Sequence, residues 1–240
     1  MKIKVFPNSK ILGDSLGQEI VALVESRPSA ILGLATGSSP LETYASIIAR
    51  FREKGVSFAN VKTFNLDEYL SCPIEEQTYS SFMWANLFSH IDIQKKNTHF
   101  PDQKELEIYD SMIDQEGGID LQLLGIGRNG HIGFNEPGTP FDAPTHVVEL
   151  TESTREANAR FFHNDISLVP THAVTMGIGT IKKSRRIVLI ATTLDKVGAI
   201  VKLLRGEEDI SCPVTSLIHH PNFEVYLTEE VNEEIKARMK

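Results

Sequence analysis

Short apolar runs alternate with stretches of helical periodicity along this 240-residue chain. That alternation constrains the fold more than any other feature. The runs are KIKVF near the start, AILGLA (30–35), VKTFNL (61–66), IDLQLLGIG (119–127), AVTMGI (173–178) and RRIVLIA (185–191). Between them, apolar residues recur three and four apart: Leu16, Ile20, Leu23 and Val24; Leu41, Tyr44, Ile48 and Phe51; Tyr79, Phe82, Met83 and Leu87; Leu106, Tyr109 and Ile113; Val197, Ile200, Val201 and Leu204. Such spacing lines one face of a helix. Strands that are apolar almost throughout belong to a sheet covered on both sides, and strand–helix alternation builds βαβ units. The expected fold is α/β: a Rossmann-like open, mainly parallel sheet with helices on both faces. THVVEL (145–150) is expected as a further strand, and VTSLI (214–218) and FEVYLT (223–228) as the final extended runs. No repeat, low-complexity tract or linker interrupts the pattern, so residues 1–240 are expected to form a single domain.

Composition narrows the function classes. Hydrophobic residues are 41% and charged residues 23%, enough for a sizeable core in a chain of this length. The net charge of −8 argues against nucleic acid or an anionic membrane as partner, because no broad basic field exists. It leaves room for a small anion held by local cations and backbone N–H groups. No apolar run approaches the ~20 residues that span a bilayer. MKIKVF lacks the features of a secretory leader, so the expected location is cytoplasmic. Cys72 and Cys212, each in a Ser-Cys-Pro tripeptide, have neither metal-ligand spacing nor the density of a disulfide scaffold.

In an open parallel sheet, ligands bind beyond the carboxyl ends of the strands. Polar residues collect there. AILGLA leads into Thr36, Gly37, Ser38 and Ser39; VKTFNL into Asp67, Glu68 and Tyr69; IDLQLLGIG into Arg128, Asn129, Gly130 and His131; RRIVLIA into Thr192, Thr193, Asp195 and Lys196. TGSSP reads equally as a helix cap or as a phosphate loop opening the helix that Pro40 begins. It lacks the lysine of a Walker loop. Lys196 and Arg160 are the cations that would complete an anion site. Taken singly, each reads as a solvated surface charge. FNLDEYL sets two carboxylates side by side. By itself it reads as a cap by Asp67 with Glu68 in solvent, or as a pair in which one carboxyl has a raised pKa and serves as a base.

GIGRNGHIGFNEPG brings His131 within five residues of Glu136. An imidazole oriented by a carboxylate is a proton shuttle near neutral pH. Gly125, Gly127, Gly130 and Gly133 would let the backbone wrap closely round a small ligand. The isolated Gly-x-Gly-x-x-Gly within it is followed by a loop, which argues against a nicotinamide cofactor. No His-Glu-x-x-His spacing marks a metal site, and no Gly-x-Ser-x-Gly elbow marks a serine hydrolase. Residues 136–145 read as a loop, either a static surface segment or part of a lid. His219 and His220 read as structural.

GLATGSSP, FNLDEY, GIGRNGHIGFNEPG, TREANARFF and TTLDK, in that order, resemble the glucosamine-6-phosphate deaminase family over nearly the whole chain. The resemblance implies an enzyme, a hydrolase or deaminating isomerase, that converts glucosamine 6-phosphate and water to fructose 6-phosphate and ammonia in N-acetylglucosamine catabolism. It implies no cofactor. Asp67 would move the proton between C2 and C1, and His131 would open the sugar ring with Glu136 holding its tautomer and charge. Many family members carry aspartate where this chain has Asn129, so here that position can only hydrogen-bond and orient. Thr36, Gly37, Ser38 and Ser39 would hold the phosphate, with Arg160 and Lys196 as cations. Longer hexameric members respond to N-acetylglucosamine 6-phosphate. The early end of this chain leads us to expect a monomer or small homo-oligomer without that control. The rival within the fold is a 6-phosphogluconolactonase, which FNLDEY and HIGFNEP fit less well. A sugar-phosphate sensing module is the rival of another class, but it could dispense with the acid/base groups that this chain retains.

Overall fold

The computed structural model describes residues 1–240, apart from the side chain of Lys54. The elements run β1 (Lys2–Phe6), α1 (Ser9–Ser26), β2 (Ile31–Leu34), α2 (Leu41–Lys54), β3 (Lys62–Asn65), β4 (Asp67–Tyr69), α3 (Tyr79–Asn86), β5 (Thr98–His99), α4 (Leu106–Gln115), β6 (Leu121–Leu124), β7 (His146–Glu149), α5 (Glu152–Asn158), β8 (His172–Thr175), α6 (Ile178–Lys182), β9 (Ile187–Ala191), α7 (Val197–Leu204), β10 (Phe223–Thr228) and α8 (Glu229–Arg238).

Seven strands form one parallel sheet in the order β1-β10-β9-β6-β2-β3-β5. Alternate residues of a strand feed different cores. In β9, Ile187, Leu189 and Ala191 join α4, α6, α7 and α8 on one face. Val188 and Ile190 join α1 and α2 on the other. Two covered faces are why these strands are apolar throughout. From β2 the chain proceeds outward through β3 and β5, then returns to the other side of β2 as β6. The loops after β2 and β6 therefore leave the sheet in opposite directions, which opens a crevice at their carboxyl ends.

A second sheet, not expected from the sequence, runs antiparallel in the order β4-β8-β7. AVTMGI and THVVEL supply two of its strands rather than strands of the main sheet. β8 pairs antiparallel with β7 on one side and with the short β4 on the other. Tyr69, Phe134, Leu150, Phe162 and Val169 form a small core of their own beneath it.

VTSLI departs from expectation. Residues Pro213–Leu217 form a 3-10 helix. Pro213 lacks the N–H that a sheet ladder requires, and Thr215 Oγ1 donates to the carbonyls of Asp209 and Cys212, which closes a tight turn instead. His220 is structural as expected: it is buried, with Nε2 2.8 Å from the Ser184 carbonyl.

Candidate active site

The crevice is a cavity of about 1000 Å³ lined by residues from all four expected strand ends. Thr36–Ser39, Asp67, Asn129, His131, Arg160 and Lys196 border it. Glu136 does not, and stands one layer behind His131.

Gly37 takes φ +91°, a left-handed conformation that side chains other than glycine's rarely adopt, and it turns the chain from β2 toward α2. Pro40 occupies the N-cap position, one residue earlier than expected. No side chain caps this helix, so TGSSP is not spent as an internal cap. Ser38 and Ser39 face the cavity. Lys196 lies across it, its Nζ 2.9 Å from Asp195 Oδ2. Arg128 Nε binds the same carboxylate at 3.1 Å. Burial works against a charged Asp195, but Thr193, Lys196 and Arg128 outweigh it and hold that carboxyl at about 2. Arg160 lies over the Phe161 ring, 4.6 Å from its centroid, at the cavity wall. Arg128 and Lys196 share the single Asp195 carboxylate, which leaves a net positive charge at that group.

The FNLDEYL pair is arranged opposite to the capping alternative. Glu68 takes the capping role alongside Thr78, the N-cap of α3: its carboxylate accepts from the backbone N–H groups of Tyr69, Tyr79 and Ser80 at 2.8–2.9 Å, which secures the start of that helix. Asp67 faces the cavity, 7% exposed. Among the described residues no donor reaches its carboxyl group. Tyr69, Tyr79 and Phe134 build an aromatic wall around it. Burial first, and the neighbouring Glu68 charge second, push Asp67 up to about 8.

The glycine-rich loop after β6 is pinned at several points. Gly127 N–H donates to the His131 carbonyl at 2.9 Å. Phe134 N–H donates to Thr175 Oγ1 at 3.0 Å, and Asn135 Nδ2 to the carbonyls of Ile132 and Met176. The imidazole of His131 lies directly on Gly127, where a Cβ would come within 2.4 Å of Nε2. His131 Nδ1 is 3.1 Å from Glu136 Oε1. The oxygen sits off the ring N–H axis, so the contact is a close approach rather than an aligned hydrogen bond. Asn129 Nδ2 donates to Glu136 Oε2 at 2.6 Å, and Asn129 Oδ1 accepts from His131 N–H at 3.2 Å. Thr154 Oγ1 donates to Glu136 Oε1 at 2.9 Å. Burial alone would raise the Glu136 carboxyl; His131, Asn129 and Thr154 more than offset it and hold it below the usual carboxylate range.

Residues 137–145 do not line the cavity. They press on α6, where a Cβ on Gly177 or Gly179 would strike the backbone of Asp142, Ala143 and Pro144. Thr145 is held by Asp110. This close packing holds the segment against α6 and away from the cavity lining. The cavity mouth is formed instead by α5 and the turn that follows it, through Ser153, Thr154, Ala157, Asn158, Arg160 and Phe161. Thr154 and Asn158 were not singled out from the sequence. Eighteen residues separate Thr154 from Glu136, and no local spacing announces such a contact.

An open parallel sheet whose switch-point crevice joins a hydroxyl-rich helix start to a buried carboxyl group and an imidazole–carboxylate pair is that of a small-molecule-binding α/β protein. The chain belongs to the family of glucosamine-6-phosphate isomerases/6-phosphogluconolactonases, whose model matches residues 9–227. A glucosamine-6-phosphate deaminase of Shouchella clausii (strain KSM-K16) is 46% identical over 228 residues, 90% of this chain and 92% of that protein. One of Geobacillus sp. (strain WCH70) is 46% identical over 239 residues, 96% of this chain and 94% of that protein. A solved structure of a monomeric glucosamine-6-phosphate deaminase superposes with a TM-score of 0.93 at 39% identity, covering 97% of this chain and 99% of that one.

Proposed function

We propose that this chain converts glucosamine 6-phosphate and water to fructose 6-phosphate and ammonia. The observation that carries the reading is that Asp67 and the His131–Glu136 pair, two carboxylate systems held in opposite states, meet at one cavity whose far end is positive. The deaminase relatives support the same substrate.

The phosphate is held by Thr36, Gly37, Ser38 and Ser39 with Lys196 and Arg160, a set suited to a dianionic monoester. Ring opening comes first, because the C2 proton becomes acidic only when C1 is a carbonyl. His131 takes the proton from the C1 hydroxyl and returns one to the ring oxygen, while Glu136 stabilises the imidazolium that forms in between. Asp67 then removes the C2 proton. The resulting enolamine is protonated at C1 to give an imine at C2. Water adds to that carbon and ammonia leaves. The C–N bond is thus cut by water after an aldose–ketose isomerisation, and the reaction is both hydrolytic and isomerising. Asp67, neutral in most molecules at pH 7, receives its counter-charge from the substrate's ammonium group, which favours the carboxylate form needed for the base.

We place the reaction in the breakdown of N-acetylglucosamine, in the cytoplasm, by a single functional unit spanning residues 1–240 that acts as a monomer or small homo-oligomer. The monomeric relative supports the oligomeric state, and sedimentation of the purified protein tests it. The activity is tested by release of ammonia and fructose 6-phosphate from glucosamine 6-phosphate, with 6-phosphogluconolactone as the competing substrate. Asp67→Asn is expected to lose about 10³-fold in kcat while still binding substrate. Turnover of the lactone alone, or full deaminase activity in the variant, would overturn the assignment.

A further inference from the structure

Helix α5 touches the surroundings of both carboxylates. Thr154 donates to Glu136 Oε1 at 2.9 Å, and Asn158, four residues on and on the same helical face, donates to the Tyr69 hydroxyl at 2.9 Å beside Asp67. Thr154 itself is held in a directed chain. The Thr151 hydroxyl donates to Thr154 Oγ1 at 3.0 Å, so the Thr154 proton is left to point at the carboxylate. Thr151 also caps α5 by accepting from the Thr154 N–H. Hydroxyls linked in this way polarise one another. Oε1 is the oxygen that faces His131 Nδ1, yet the imidazole contributes no aligned bond to fix it. Among the described residues, His131 is the one basic side chain that approaches the Glu136 carboxylate. The other donors, Asn129 and Thr154, are neutral.

We infer that Thr154 is a positioning residue for ring opening: from α5, its hydroxyl sets the direction of the Glu136 carboxylate and, through it, of His131. The inference rests on the reading of His131 and Glu136 as the ring-opening pair. Asn129 belongs to the same loop as His131 and holds its backbone as well, so its loss would disturb both. Thr154 arrives from a separate element, and its hydroxyl can be removed without touching that loop.

The test compares Thr154→Val, which keeps the shape and removes the donor, with Thr154→Ser, which restores it, and with Glu136→Gln. Steady-state kinetics on glucosamine 6-phosphate are measured against pH, together with binding of an open-chain amino-alditol 6-phosphate, which needs no ring opening. Thr154→Val is expected to lower kcat about tenfold, the worth of one hydrogen bond to a charged group, with KM changed less than about twofold. The acid limb of its kcat profile, which reports the substrate complex in which the ammonium group has already ionised Asp67, moves toward neutral pH, because a Glu136 carboxylate with one donor fewer gains its proton sooner. Binding of the open-chain compound is unchanged, and Thr154→Ser recovers the native profile. Thr154→Val with native kcat and native acid limb, beside an impaired Glu136→Gln, overturns the role of Thr154 alone. A loss in kcat that serine does not recover, with the acid limb unmoved, also overturns it and leaves a packing role. A fully active Glu136→Gln instead defeats the underlying assignment of the pair.

Discussion

On the cavity wall Asp67 sits among Tyr69, Tyr79 and Phe134, with no donor among the described residues on its carboxyl group and the Glu68 charge beside it. Behind His131, which borders the same cavity, Glu136 is also buried but receives Asn129, Thr154 and the approach of His131. The two side chains differ by one methylene, and burial opposes the charge of both. The number of donors decides which way each goes. Asp67 is held neutral until a cation arrives, as a base for a charged amine requires. Glu136 is held ionised, as the stabiliser of an imidazolium requires. Separation of two acids by environment rather than by residue type is the general route to paired roles in one site.

The largest effects come from removing either charge. Asp67→Asn is expected to cost about 10³-fold in kcat and Glu136→Gln about 10²-fold. The asymmetry is checked with a substrate trapped in the open-chain form, which should rescue the second variant only. Equal rescue of both would break the contrast. Lys196→Met is the control at the phosphate end. It is expected to raise KM roughly tenfold, the loss of one charge-assisted contact, with kcat and the pH profile unchanged. Movement of either limb would mean that the two carboxylates are not independent of the anion site.

Glu68→Gln keeps an acceptor for the start of α3 and removes the charge beside Asp67. Asp67 then ionises at lower pH, so the acid limb of activity should shift downward by about one pH unit or less, measured as kcat/KM against pH. The smallest effects are thermal, and they have opposite signs. The folded-state value of Asp67, about 8, lies above the ordinary value near 4. The stability linked to that proton is complete below the ordinary value and is lost as pH rises through about 8. Asp67→Asn should therefore gain in melting temperature over the native protein as pH rises across that window, by a few degrees. Glu136 is shifted the other way. Its contribution is present above its ordinary value and disappears as pH falls through its lower folded value, so Glu136→Gln should be less stable at neutral pH and indistinguishable from native in acid. Parallel melting shifts for both variants would refute the contrast between the two carboxylates.

The main sheet and its helices were legible because their pattern is dictated locally. A strand that feeds two cores must be apolar at every position, and Ile187–Ala191 shows it. The strand-end residues were legible for the same reason: glycines, hydroxyls and an imidazole after an apolar run have little structural use. The small sheet was not, since β4, β7 and β8 are three or four residues long and β4 pairs with β8 across more than a hundred positions. Glu68 could not be told from Asp67 by type, because which of two adjacent carboxylates caps α3 depends on where that helix begins in space.

By itself the sequence determined the α/β class, the order of elements, the crevice as the site, and through its motifs the family. These follow from periodicity and from side-chain chemistry at strand ends, both of which act within a few residues. The tertiary structure decided which carboxylate is dry and which is solvated by donors, that α5 rather than residues 137–145 borders the cavity, and that Thr154 meets Glu136. A pKa is set by the groups within a few ångströms of an atom, and Asp67, Glu136 and Thr154 acquire those neighbours only when distant segments close over the same cavity.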